Sequence, residues 1–189
     1  MSEIAKKTAG LVLVGYRGTG KSTVGRIVAE RLSRPFIDAD AALEAIEGKP
    51  VRTIFADHGE PHFRDCEERV LSELTSIPGR VIATGGGAIL RESNRLTLMR
   101  YGLVVWLSAS VDELQRRLAT DSATVPGRPP LTALGTLVEI AGVLESRIPL
   151  YKAGSNVEIS TDGRSPVDVA DALLAWLPSA MFELRGVSS

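Results

Sequence analysis

The sequence predicts an α/β fold in which a central, mostly parallel, five-stranded sheet is flanked by helices, so that three layers form a sandwich. Five short apolar runs alternate with longer amphipathic stretches, which is typical of parallel strands joined by crossover helices. The 189 residues, 44% of them hydrophobic, are enough for a sizeable core, and we expect residues 1–189 to form a single domain. In such a fold, ligands bind beyond the carboxyl ends of the strands.

The predicted strands are the apolar runs. The first ends at Gly15, the second ends in Asp38, and the third ends in a run of three glycines. The fourth consists of apolar and β-branched residues, which favour a buried strand. In chain order the predicted strands cover residues 11–14, 35–38, 80–83, 103–107 and 157–160.

Helices are predicted between these strands from apolar spacing and capping residues. Val70, Leu71 and Leu74 recur at helical spacing, and Pro166 behind Ser165 is typical of a capped first turn. The predicted helices cover residues 21–32, 41–46, 51–56, 60–76, 92–100, 111–119, 134–151 and 166–177. The intervening segment 121–130 is rich in Pro, Gly, Ser and Thr and is predicted to be a mobile loop. Trp106 and Trp176 are expected in the core.

Composition excludes several classes of protein. The 22 basic and 23 acidic residues nearly balance, so net charge does not favour a nucleic-acid or membrane surface. The single cysteine, Cys66, excludes an internal disulfide framework and favours a reducing, cytoplasmic compartment. The first apolar run, residues 11–14, is far shorter than the roughly 20 residues of a membrane span. We therefore expect a cytoplasmic protein that binds neither nucleic acid nor membrane. A monomer is also expected.

A phosphate-binding loop follows the first strand. The segment Gly-Tyr-Arg-Gly-Thr-Gly-Lys-Ser, residues 15–22, matches the pattern G-x-x-x-x-G-K-[ST] in full. The glycines allow successive backbone N–H groups to point toward one phosphate, and the following helix adds its positive dipole end. Lys21 can reach the β- and γ-phosphates, and the hydroxyl of Ser22 can bind Mg²⁺. An accidental Gly-rich turn would not sit between a strand and a helix as this one does.

A second carboxylate for the metal is expected at the end of another strand. Of the second, third and fourth predicted strands, only the second ends in an acidic residue, Asp38, although a helix-capping Asp would look the same. The chain has no N-K-x-D segment to read guanine, which argues against a GTPase. The P-loop NTPase fold, small size and balanced charge together favour a kinase that acts on a small molecule.

The motifs resemble one family closely, the shikimate kinases, and the resemblance runs from Leu11 to about Leu177. Each motif beyond the phosphate loop is weak alone, but their order is specific. They are Gly-Lys-Ser-Thr at 20–23, Phe36-Ile37-Asp38-Ala39-Asp40, Ile54-Phe55, Gly59-Glu60, Phe63-Arg64-Asp65-Cys66-Glu67, Ala83-Thr84-Gly85-Gly86-Gly87, Arg128-Pro129 and Arg147-Ile148-Pro149-Leu150-Tyr151.

The resemblance implies transfer of the γ-phosphoryl group of ATP to a hydroxyl of shikimate, on the route to chorismate and the aromatic amino acids. Its implied catalytic residues are Lys21, Asp40 and Arg128, and Asp40 would orient or deprotonate the accepting hydroxyl. Mg²⁺ would be held by Ser22 and, through water, by Asp38. The implied ATP-binding residues are Gly15, Gly18, Thr19, Gly20, Lys21, Ser22, Thr23, Arg117 and Arg128.

The implied acceptor site lies on other segments. Arg64 and Arg147 would bind the shikimate carboxylate, with Glu67 orienting Arg64. The substrate-binding helices would span about 39–77, and a lid at about 121–131 would close over the phosphates. The N-terminal extension, 1–9, and the tail, 178–189, have no assigned role. The full set of implied shikimate-binding residues is Asp40, Phe55, Phe63, Arg64, Gly85, Gly86, Gly87 and Arg147.

Alternatives remain open at this point. Arg116 could contact the adenine instead of Arg117, and arginines on predicted helices are often only solvated surface groups. Phe55 and Phe63 could be ordinary core residues. A gluconate-kinase-like enzyme would keep the phosphate loop without needing two carboxylate-binding arginines. A non-catalytic ligand-binding relative would be expected to have lost Lys21 or Asp40, and both are present.

Overall fold

A computed structural model describes residues 9–124 and 137–177, and over these residues the sheet has five parallel strands. Its strands are β1 (Gly10–Val14), β2 (Phe36–Asp38), β3 (Val81–Ala83), β4 (Gly102–Ser108) and β5 (Val157–Ser160). They are ordered β2-β3-β1-β4-β5, and every neighbouring pair is parallel. The predicted parallel five-stranded sheet is therefore confirmed.

Helices connect these strands and cover both faces of the sheet. They are α1 (Lys21–Arg31), α2 (Ala39–Glu47), α3 (Val51–Thr75), α4 (Glu92–Tyr101), α5 (Val111–Thr124), α6 (Leu137–Ala153) and α7 (Pro166–Trp176), with a short 3-10 turn at Ala88–Leu90. Helix α3 is interrupted at Gly59, whose φ of 77° lies in the left-handed region, and Pro61 follows it. The sequence predicted two helical pieces here, separated at this point.

Alternation along the strands builds two cores. Val12, Val14 and Ile82 point to the face covered by α2, α3, α4 and Tyr151 of α6. Leu11 and Leu13 point to the opposite face, against α1 and α7. A smaller apolar cluster joins Tyr16 of the phosphate loop to α5 and α6. The predicted α/β sandwich with helices on both faces is thus confirmed. Strand β1, which leads into the phosphate loop, lies between the two cores.

Most predicted boundaries agree with the structure within a residue or two. Ser165 caps α7 with a full capping box, because its hydroxyl accepts from Asp168 N and the Asp168 carboxylate accepts from Ser165 N. Helix α5 continues to Thr124, five residues beyond its predicted end at Ala119, so it takes in residues 121–124 of the predicted loop. Trp106 is buried as expected, but the prediction for Trp176 was wrong because its side chain is 36% exposed at the end of α7.

Several predictions fall outside the described residues. They are the N-terminal extension up to residue 8, the start of the predicted helix at 134–136, the remainder of the lid at 125–131 with Arg128, and the tail at 178–189. Over the parts that are described, 9–124 and 137–177, none of the helices combines the length and the apolar character needed to cross a membrane.

Candidate active site

The phosphate-binding loop joins the carboxyl end of β1 to α1. Gly18 and Gly20 have φ angles of 87° and 84°, which glycine adopts without strain, and a Cβ on Gly15 would lie 2.3 Å from the Leu107 carbonyl oxygen. The Tyr16 carbonyl accepts from Thr19 Oγ1 at 2.9 Å and from Lys21 Nζ at 2.8 Å. Lys21 is only 8% exposed. Its ammonium therefore lies folded inside the loop that is expected to bind phosphate.

Ser22 and Asp38 lie together at the ends of α1 and β2. Ser22 Oγ donates to Asp38 Oδ2 at 2.5 Å, although the two residues are 16 positions apart. The other oxygen of Asp38 caps α2 by accepting from Asp40 N at 3.1 Å and Ala41 N at 3.3 Å. Asp38 is thus both a helix cap and a neighbour of the phosphate loop, so the two interpretations of this residue are compatible.

The glycine turn, residues 85–87, follows β3 and packs against three parts of the site. A Cβ added at Gly85 would lie 2.6 Å from Asp40 Oδ1, and one added at Gly87 would lie 2.4 Å from the Arg64 guanidinium. One added at Gly86 would lie 3.3 Å from Arg17 N of the phosphate loop. Since a side chain at Gly85 or Gly87 would displace these groups, the glycines are needed for close approach. The turn therefore brings Asp40, Arg64 and the phosphate loop together.

Two carboxylates hold Arg64 on α3. Arg64 Nη1 donates to Glu67 Oε2 at 2.7 Å, and its Nε and Nη2 donate to Glu60 Oε1 at 3.1 and 3.0 Å. Burial raises the pKa of the Glu67 carboxyl, and the neighbouring Arg64 opposes this shift. Among the described residues Glu67 Oε1 has no hydrogen-bond partner, and it lies 3.2 Å from the position of a Cβ on Gly85. Arg64 is thus fixed beside the glycine turn rather than being a solvated surface group.

The second predicted carboxylate-binding arginine reaches the same turn from α6. Arg147 Nη1 donates to Gly86 O at 3.2 Å, and its guanidinium lies over the Tyr16 ring with 5.8 Å to the centroid. Gly86 and Gly87 are adjacent, so the turn has Arg147 on one residue and Arg64 on the next. Two helices that are distant in sequence therefore bring two cations to one short segment.

The two phenylalanines pack together near Arg64. Phe55 and Phe63 have ring centroids 4.4 Å apart, and the Arg64 guanidinium carbon lies 5.0 Å from the centroid of Phe63. Phe63 is 4% exposed and belongs to the core, while Phe55 is only partly buried. Phe63 thus combines the core role with contact to the site, and Phe55 offers apolar surface beside it.

The structure separates the two candidate arginines of α5. Arg117 donates to Gly18 O at 3.1 Å, to Thr161 Oγ1 at 2.9 Å and to Thr161 O at 2.8 Å, and so joins the phosphate loop to the end of β5. Arg116 has a side chain that is 68% exposed and pairs with Glu113. Glu113 also accepts a hydrogen bond from Arg117. The hydrogen bonds from Arg116, and to a smaller extent from Arg117, lower the pKa of Glu113 to about 2. Arg117, not Arg116, therefore contacts the phosphate-binding loop.

Comparisons with known proteins point to one family. A family model described as shikimate kinase matches residues 17–178. A shikimate kinase from Rhodopirellula baltica is 42% identical over 90% of this chain and 91% of its own length. One from Symbiobacterium thermophilum is 42% identical over 88% of this chain and 95% of its own length. The chain belongs to the shikimate kinase family.

A solved structure extends the likeness to three dimensions. Shikimate kinase from Acinetobacter baumannii, determined in complex with shikimate, superimposes with a TM-score of 0.82 at 37% identity. The match covers 92% of this chain and 95% of that one. The predicted membership of this family of ATP-dependent kinases and the predicted fold are both confirmed.

A Mg²⁺ ion bound together with ATP would need oxygen ligands. Among the side chains of residues 9–120 and 140–177, no group of three or more His, Cys, Asp or Glu could hold a metal ion. The oxygen pair of Ser22 and Asp38 beside the phosphate loop is nonetheless the donor type that Mg²⁺ prefers. Mg²⁺ bound through few side chains and completed by phosphates and water fits this pair, because that is its usual mode at phosphate sites.

Sequence reasoning left three residues of the site without a full role. Glu60 is a second carboxylate on Arg64, and only its spacing of four residues on the same helix could have indicated this. Thr161 follows β5 at the carboxyl edge of the sheet, a position where ligand-site residues are common. Tyr151 was quoted within a motif but given no function, although it lies one helical turn after Arg147.

Proposed function

We propose that this protein transfers the γ-phosphoryl group of ATP to a hydroxyl of shikimate, which gives 3-phosphoshikimate and ADP on the route to chorismate and the aromatic amino acids. One observation carries the proposal. The glycine turn packs against the phosphate loop through Gly86 and against Arg64 and Arg147 through Gly87 and Gly86. The glycine turn would therefore border both the phosphate site and the cationic site for a carboxylate.

The acceptor would bind between α3, α6 and the glycine turn. Arg64 and Arg147 supply forked donors for its carboxylate, and backbone groups of the turn can approach it closely because no side chain intervenes. Phe55 would cover the apolar part of its ring. Asp40 lies on the other side of the turn, at Gly85, where it can accept a hydrogen bond from the hydroxyl that is to be phosphorylated.

Positive charge around the transferred group would come from Lys21. Its ammonium donates a hydrogen bond to Tyr16 O, and ATP would offer it charged oxygens, which are stronger acceptors than that carbonyl. Ser22, with Asp38 behind it, would hold Mg²⁺, which supplies charge neutralisation to the phosphates when bound. Asp40 orients the attacking hydroxyl, so this chain contributes mainly position and electrostatics to the reaction.

The remaining assignments concern the nucleotide and its surroundings. Arg117 would lie against the adenine, since it links the phosphate loop to Thr161 at the edge of the sheet. Gly15, Gly18, Thr19, Gly20 and Thr23 would complete the ATP site. Arg128, in the lid proposed at about 121–131, would close on the phosphates. We further propose a monomeric enzyme of the cytoplasm, with substrate-binding helices at about 39–77.

An acceptor panel tests the proposal. ADP release, coupled to a dehydrogenase readout, is measured with ATP and Mg²⁺ in the presence of shikimate, gluconate or a nucleoside monophosphate. We expect turnover with shikimate and background rates with the other two. Equal or greater turnover with gluconate would contradict the assignment of the acceptor. ADP release that no acceptor accelerates would contradict phosphoryl transfer to any of them.

A further inference from the structure

Tyr151 connects the glycine turn to the sheet. Its side chain is fully buried, and its hydroxyl donates to Gly86 O at 2.7 Å. Its ring stacks on Trp106, with centroids 5.5 Å apart and planes 9° apart. Trp106 lies on β4 opposite Val14, the last residue of β1 before the phosphate loop. The phenol is therefore held by the sheet on one side and holds the turn on the other.

The carbonyl of Gly86 accepts two hydrogen bonds. The bond from Tyr151 is of ordinary length for a hydroxyl, whereas the 3.2 Å bond from Arg147 Nη1 is at the long limit for an N–H donor. A carbonyl oxygen has two lone pairs and can accept both donors at once. Burial raises the pKa of Tyr151 more than the neighbouring Arg147 guanidinium lowers it, so the phenol keeps its proton and stays a donor. Both donors come from one face of α6, since they are four positions apart.

A bound carboxylate would compete with Gly86 for Arg147, because an anion is a stronger acceptor than a neutral carbonyl. If Arg147 were the sole donor to this carbonyl, its departure would leave a half-buried acceptor unsatisfied, which is costly. The hydroxyl of Tyr151 removes that cost. Gly86 also packs against Arg17 N of the phosphate loop, and this contact involves neither Tyr151 nor Arg147.

We propose that Tyr151 is a positioning residue whose hydroxyl holds the Gly86 carbonyl, so that Arg147 can turn to the carboxylate of the acceptor while the glycine turn stays beside the phosphate loop. This inference rests on the proposed carboxylate-binding role of Arg147. Without the hydroxyl, Arg147 would be the remaining described donor to Gly86 O, and each acceptor molecule would have to break that bond. Loss of the hydroxyl therefore weakens acceptor binding and spares ATP binding.

The test uses Tyr151→Phe, which removes the hydroxyl and keeps the stacked ring. We expect the KM for shikimate to rise by about threefold to thirtyfold, with kcat and the KM for ATP within about twofold of wild type. Tyr101→Phe is the matched control. The Tyr101 hydroxyl bonds to Arg80 N at 2.9 Å and Ile77 O at 3.1 Å at the opposite, amino-terminal edge of the sheet. The Tyr101→Phe substitution should lower the urea unfolding midpoint and change neither the KM for shikimate nor the KM for ATP.

A double-mutant cycle separates positioning from packing. In an Arg147→Ala background, Tyr151→Phe should change the KM for shikimate by less than about twofold, because no arginine remains to be released. Equal effects in both backgrounds, a parallel rise in the KM for ATP, or no rise in the wild-type background would overturn the inference and leave the proposed function standing. Absence of shikimate turnover by wild type would overturn the proposed function and, with it, the inference.

Discussion

Replacement of Arg64 by alanine should weaken binding of the acceptor carboxylate selectively. A charge-assisted hydrogen bond contributes about 1.5–3 kcal/mol, which corresponds to a rise of about tenfold to a hundredfold in the KM for shikimate. The KM for ATP should change little, since the contacts of Arg64 are with Glu60, Glu67 and Phe63 of α3 and with the glycine turn. Lysine at this position should restore part of the affinity, because an ammonium cannot make the forked contact.

The same substitution has a cost in stability that must be measured separately. Glu67 is only 4% exposed, and without Arg64 its carboxylate would be buried without its cation. Breaking a buried pair in this way costs about 3–5 kcal/mol, less if the carboxyl takes up a proton. Arg64→Ala in a Glu67→Gln background removes the stranded charge. The free energies of unfolding in urea are then compared for Arg64→Ala with and without Glu67→Gln. The comparison shows how much of any loss of activity comes from a loss of stability.

The decisive assay compares shikimate with an analogue whose carboxylate is replaced by a neutral amide. Wild type should strongly prefer shikimate, and Arg64→Ala should show a much smaller preference in kcat/KM. Arg91→Ala is the matched control, since Arg91 also pairs with two carboxylates, Asp65 and Glu68, but on the outer surface between α3 and α4. Its preference should equal that of wild type. The same preference in Arg64→Ala and wild type would mean that Arg64 does not bind the carboxylate.

Three further outcomes are expected. Asp40→Asn should lower kcat by about a hundredfold in steady-state assays. The affinity for ATP, measured by titration calorimetry, should be almost unchanged. A collapse of ATP affinity would instead indicate that Asp40 helps to hold the metal. Burial raises the pKa of Glu67, so as the pH falls through that raised value its carboxylate takes up a proton and ceases to be an anionic partner. The KM for shikimate should therefore rise as the pH is lowered through this range. If the KM of a Glu67→Gln variant rose in the same way, protonation of Glu67 would not be the cause. Arg117→Ala should raise the KM for ATP by about tenfold, whereas Arg116→Ala should leave it unchanged, and equal effects would contradict the separation seen on α5.

The fold could be predicted largely because its signals are local. Buried parallel strands are short apolar runs, and the phosphate loop, the capping box at Ser165 and the helix break at Gly59 each lie within a few consecutive residues. The end of α5 was missed because Asp121, Ser122 and Thr124 are weak helix formers that are common in turns. Trp176 was misplaced because residue type alone does not tell which side of a terminal helix meets the sheet.

Parts of the site that depend on long-range pairing could not be derived from spacing. The meeting of Arg64 and Arg147 at one glycine turn is a product of tertiary folding, and only the family resemblance pointed to it. Periodicity likewise could not decide between Arg116 and Arg117, which are neighbours on one helix. Tyr151 was passed over because a buried tyrosine in an apolar helix looks like plain core until its hydroxyl is seen to contact Gly86.

If the phosphate loop and the arginine pair serve one transfer reaction, the phosphorylated acceptor itself should be detectable. Mass spectrometry of the acceptor after incubation with ATP, Mg²⁺ and the enzyme measures this, and phosphorus NMR locates the new ester. We expect shikimate to gain one phosphoryl group at its 3-hydroxyl, in equal amount to the ADP formed, and Lys21→Ala to yield none. ADP formed without phosphorylated shikimate, or full yield from Lys21→Ala, would show that the two sites do not serve this reaction.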